Sequence, residues 1–132
     1  MIIWFLLQSI LTIGIFISYV TMSDYSGGEV GMTPLTVMLA SLIQFLFSIV
    51  FFHFLKKYLR DNRRIIFFIF SMLLYELSFL FFSPNFPLMN MSEAGLIGFL
   101  NKGYSMSSIL SGLLIMVAFY SFQVLKSKSI AD

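Results

Sequence analysis

Apolar runs of about twenty residues, separated by short polar breaks, dominate the chain. A bilayer core of about 30 Å is crossed by about 20 helical residues rising about 1.5 Å each, so runs of this length predict membrane-spanning helices. Four such runs lie at about 2–20, 34–55, 65–82 and 104–125. The second opens on Thr33, a good N-cap, with Pro34 at the first helical position. The third stops at Ser83 and Pro84; the fourth follows Gly103 and closes at Lys126 and Lys128. The first has no basic residue before it, and Ser18, Tyr19 and Val20 make no small-x-small cleavage site, so it is expected as a retained helix rather than a signal peptide. The expected organisation is a single four-helix membrane domain over residues 1–132.

The breaks differ in character. Residues 21–33 hold Asp24, Gly27, Gly28, Glu29 and Gly31, an acidic connector without the basic residue that a phosphate-binding loop requires. In the third break Asn90 is placed to cap a helix with Glu93 at its third position, running from about Met91 to Asn101 and ended by Lys102 and Gly103. Too short to span and too apolar for water, this helix is expected to lie on the outer membrane surface or against a partner. Asn90–Ser92 also fits a glycosylation sequon, a pattern too short to carry weight.

Composition sharpens the picture. Of 132 residues 59% are hydrophobic and only 11% charged, against about 25% charged in a soluble domain, which excludes a water-soluble globule. The mean hydropathy is +0.95. Seventeen Phe, six Tyr and one Trp are more aromatic surface than so small a core can hide, so part of it must face lipid. The absence of cysteine excludes disulfides, thiolate metal sites, iron–sulfur clusters and thiol relays. The net charge of +2 matters through its placement. Lys56, Lys57, Arg60, Arg63 and Arg64 supply five of the eight basic residues in the connector after the second span. Lys126 and Lys128 follow the fourth span, whereas the first connector has none and the third only Lys102. By the positive-inside rule both termini are expected to be cytoplasmic, which an even number of spans also requires. Nothing resembles a nucleic-acid surface. The low tryptophan content and abundant Phe, Ile and Ser suit a bacterial inner-membrane protein.

Within the spans the polar residues fall on helical faces. Glu76 is the one charged residue inside a predicted hydrocarbon region, about 10 Å below the boundary at Ser83, where a carboxylate costs up to about 3 kcal/mol unless paired, protonated or hydrated. It reads either as a proton or cation site or as a hydrogen-bonding post that holds a bundle together, the second being favoured for a carboxyl without an intramembrane basic partner. Gln8, Thr12, Ile15 and Tyr19 share one face of the first helix and Ser41, Gln44 and Ser48 one of the second, and both are expected to point inward. Ser71, Tyr75, Ser78 and Phe82 share a face of the third. Depth along the helices suggests a hydrogen bond from Gln44 to Glu76, so the candidate polar or ion site comprises Glu76, Gln44, Tyr75 and Ser41. Ser108, Ser111 and Gly112 form a small-residue face for helix packing, within the bundle or with a partner.

Catalytic patterns are missing: there is no Gly-x-Ser-x-Gly, no metal-binding His pair and no two carboxylates in one leaflet. His53 alone could not supply a bis-histidine haem, and it reads as an interfacial residue near Lys56 and Lys57. No cofactor is expected. The expectation is a non-enzymatic accessory or binding subunit of a larger membrane assembly, or an immunity-type protein, in contact with lipid and with another membrane protein or a second copy. The alternative is a small homo-oligomeric transporter or channel, proton- or cation-coupled through Glu76.

Overall fold

A computed structural model describes residues 1–25, 27–59, 63–84 and 86–131. Arg60, one of the expected topology residues, lies outside the described residues. Among those described the fold is all-helical, without strands. Helix α1 spans Ile2–Thr21, α2 is a single turn at Gly27–Val30, α3 spans Thr33–Leu55, α4 Ile65–Ser78 and α5 Gly95–Ala131. Among the described residues three helices are long and apolar enough to cross a membrane: α1, α3 and α5. Helix α4 tightens after Ser78 into a 3-10 turn at Phe79–Phe81, making a shorter apolar rod from Ile65 to Phe81.

The four long helices pack in the ring order α1, α3, α4, α5, with α5 closing on α1. One end gathers the basic residues: Met1, Trp4, Arg64, Gln123 and Lys126 line a common hollow there. The other carries the connectors, with α2 and the segment from Phe79 to Ala94.

The interior is layered, and each helix repeats the same order. At the basic end Phe5, Phe67, Phe68, Ile115 and Phe119 form an apolar cluster. Its rings meet edge to face, Phe5 on Phe68 with centroids 5.8 Å apart and Phe68 on Phe119 at 5.4 Å, a preferred geometry for aromatic pairs. At the connector end Phe16, Val37, Ala40, Tyr75 and Phe79 form a second cluster, with Tyr104 stacked on Phe16 at 5.1 Å. Between them lie buried polar side chains from all four helices: Gln8 and Thr12, Gln44 and Ser48, Ser71, Ser108 and Ser111. The faces of α1 and α3 expected to turn inward do so: Gln8, Thr12, Ser41, Gln44 and Ser48 are buried.

Two expectations about the third connector need correction. The segment 91–101 is not a separate surface helix capped by Asn90. A 3-10 turn at Pro87–Asn90 uses the Asn90 carbonyl to accept from Glu93 N–H and from Asn101 Nδ2, and α5 begins only at Gly95. Gly95 has φ +71°, a left-handed conformation that glycine enters without a Cβ penalty, and it turns the chain into the helix. Nor does the chain break at Lys102 and Gly103, because α5 runs straight through them for 37 residues. Gly103 is there for close approach: a Cβ at this position would strike the rings of Tyr19 and Phe16 on α1.

Candidate functional site

The residues expected to form one polar site are distributed over three places. Gln44 does not bond Glu76. Its Nε2 donates to Ser71 Oγ at 2.8 Å, and Ser48 Oγ donates to the same hydroxyl at 3.0 Å, tying α3 to α4. On the other side of the ring Thr12 Oγ1 and Ser111 Oγ share a hydrogen bond of 2.6 Å between α1 and α5. Ser9 Oγ reaches the Ser41 carbonyl at 3.3 Å, joining α1 to α3. Three of the four helix seams are thus stitched by hydroxyl or amide bonds at one level of the bundle. In a lipid environment, where burying apolar surface contributes little between helices, such bonds add of the order of 1 kcal/mol each.

The same layer holds polar atoms without a partner. Both amide atoms of Gln8, Oε1 of Gln44, and the hydroxyls of Ser41 and Ser108 are buried and make no hydrogen bond. An unsatisfied buried donor or acceptor costs about 1–3 kcal/mol, so this layer is an expensive interior. Tyr75, buried in the apolar cluster at the connector end, has an unbonded hydroxyl, and its ring meets Phe79 edge to face at 5.2 Å.

Glu76 stands apart from this layer, half-buried on α4 toward the connectors. Its Oε2 accepts the backbone N–H of Leu88 at 3.2 Å, so the carboxyl fastens the Pro87–Asn90 turn onto α4. Ser105 on α5 faces the carboxyl, though neither Ser105 Oγ nor Glu76 Oε1 closes a hydrogen bond. The chemistry available is that of a hydrogen-bond acceptor holding a returning loop.

The small-residue face on α5 is used inside the bundle. Gly112 is buried against Met72 of α4, with no room for a Cβ beside the thioether, and Ser111 is taken by Thr12. Ser108 is buried one turn away. Of the basic residues expected to orient the chain, Lys56, Lys57 and Arg63 are exposed at the basic end and Arg64 is half-buried against the hollow beside Met1. His53 is exposed on the last turn of α3.

Two surface features were not visible to sequence reasoning. A groove of about 320 Å³ runs between α1 and α3, lined almost wholly by apolar side chains including Leu6, Ile10, Met38 and Phe45. A second hollow, of about 470 Å³, opens at the connector end between the start of α3, the Phe79–Ser83 turn, the Pro87–Asn90 turn and the first turns of α5. Both depend on helices far apart in sequence, and the second also on the course of the third connector.

No protein-family model, no curated protein and no solved structure shows a significant match to the chain.

Proposed function

We propose that this protein is a non-enzymatic polytopic membrane protein of four spans, with both termini in the cytoplasm, that serves as a binding unit of a larger membrane assembly or as an immunity-type protein. The observation that carries this reading is the closed bundle axis. Aromatic clusters plug both ends of the ring, and the small-residue and hydroxyl faces are consumed by the chain's own helices. What remains for interaction is the outer surface. The apolar groove between α1 and α3 has the volume of one or two large side chains from a neighbouring span. The charge asymmetry, with Lys56, Lys57, Arg63, Arg64, Lys126 and Lys128 at one end, supports the orientation. The composition supports a bacterial inner membrane.

The test is site-specific photo-cross-linking at native expression. Probes replacing Ile10 and Met38, in the groove, are expected to give one discrete protein adduct of fixed stoichiometry. A probe replacing Leu73, on exposed α4 surface, is expected to give none. Lipid adducts alone at all three positions would remove the binding reading.

The unpartnered amide and hydroxyl atoms of the central layer favour one second reading, a homo-oligomeric proton- or cation-coupled transporter. In that case native mass determination of the protein extracted into nanodiscs gives a pure homo-oligomer, and reconstituted vesicles carry flux across a pH gradient.

A further inference from the structure

The hollow at the connector end combines three chemical features. Its walls include the rings of Phe79, Phe82 and Tyr104. Tyr104 is held between Phe16, stacked at 5.1 Å, and Phe79, at 4.8 Å and inclined by 38°, so this wall is packed into the bundle. Asn90, Asn101 and the exposed Glu93 also line the hollow, and a bond from Asn101 Nδ2 to the Asn90 backbone carbonyl holds the two asparagines together. Among the described lining residues there is no Lys, Arg or His, and Glu93 gives them one formal negative charge. Glu76 adds a second carboxyl behind the Pro87–Asn90 turn, through its bond to Leu88 N–H.

The position of Glu93 is built. Gly95, at φ +71°, reverses the chain after it, and Gly98 has no Cβ because the Glu93 carbonyl occupies that space. The turn that carries the carboxylate is therefore seated directly on the first turns of α5. A volume of about 470 Å³ lies in the range of small-molecule sites, about 300–1,000 Å³. Phe82 supplies the open ring, being 45% exposed, and a ring face beside a carboxylate attracts a cation whose shell is partly apolar, because the ring quadrupole and the carboxylate act on the same charge.

We propose that this hollow is a binding site for an organic ammonium group, with the nitrogen against Glu93 and its substituents on Phe82. The group is supplied either by the amine headgroup of a lipid or by a soluble aryl- or alkylammonium compound. The site stands independently of whether a protein partner occupies the α1/α3 groove.

The test uses the full chain in dodecyl maltoside, which carries no charge and no amine. Benzyltrimethylammonium titrated calorimetrically is expected to bind one saturable site, and benzyl alcohol, its neutral counterpart, is expected not to. Glu93→Gln should weaken binding at least tenfold while melting as the wild type does, Glu93→Asp should restore most of it, and Asp24→Asn, an exposed acid elsewhere, should leave it unchanged. Phe82→Ala should weaken it severalfold. Phosphatidylethanolamine that competes with the probe where phosphatidylglycerol does not identifies a lipid headgroup as the occupant; no competition from either assigns the site to a soluble ammonium. Absence of saturable binding by both benzyltrimethylammonium and phosphatidylethanolamine, or equal binding by wild type and Glu93→Gln, overturns the proposal.

Discussion

At the scale of single residues, Glu76 shows how a structure assigns work to a group that sequence reasoning could only single out. Its depth and isolation were legible; its partner was not, because Leu88 N–H belongs to a connector whose path no helical periodicity describes. Glu76→Gln keeps an acceptor for that N–H and is expected to change detergent melting stability by less than about 1 kcal/mol. Glu76→Lys places an unpaired cation there and is expected to cost more than about 3 kcal/mol or prevent accumulation. Equal melting of the two variants would mean that the side chain faces water or headgroups. Gln8 gives the opposite sign. Both its amide atoms are buried without a partner, so Gln8→Leu is expected to stabilise the protein by about 1 kcal/mol, read as a higher melting midpoint in detergent. A lower midpoint would show that the amide is engaged when the protein sits in its membrane mimic.

At the scale of elements, helix existence was legible and helix ends were not. The inward faces of α1 and α3 follow from spacing alone, since a period of 3.6 residues places Gln8 with Thr12 and Ser41 with Gln44 and Ser48. The beginning of α5 was misread for a definite reason. Lys102 followed by Gly103 carries the chemistry of a helix stop, yet glycine also serves where two helices touch, and Tyr19 and Phe16 make Gly103 the second kind. Gly112 is the same case against Met72. Gly112→Leu should force α4 and α5 apart at the most tightly stitched level of the ring, at a cost of about 1–3 kcal/mol in melting stability. Gly95→Ala, which meets no steric neighbour, should cost only the left-handed backbone conformation, about 1–2 kcal/mol.

At the scale of the whole molecule, the layered interior was written in each helix separately and could be assembled only in three dimensions. Phe5, Gln8, Thr12 and Phe16 set on α1 the order that Phe68, Ser71 and Tyr75 repeat in the same direction on α4. The ring order and the two surface hollows depend on which helix neighbours which, and no local pattern states that. The four-span arrangement has its own check, made simple by the absence of native cysteine. Single cysteines replacing Asp24 and Tyr58, both exposed, are expected to react with an impermeant maleimide from opposite sides of the membrane. Reaction of both from the same side would replace the topology proposed above.

Helix α5 has a mechanical meaning beyond packing. At 37 residues it is about 55 Å long, nearly twice the thickness of a hydrocarbon core of about 30 Å, and no break interrupts it. Its first turns form one wall of the hollow that holds Glu93, while residues Ser121 to Ser129 at its far end are all exposed, with Phe122 against Trp4 of α1. The rod is pinned between those ends by the Thr12–Ser111 hydrogen bond, by Gly103 against Tyr19 and by Gly112 against Met72, so a displacement at Tyr104 reaches Lys126 and Lys128 only by carrying the neighbouring helices with it.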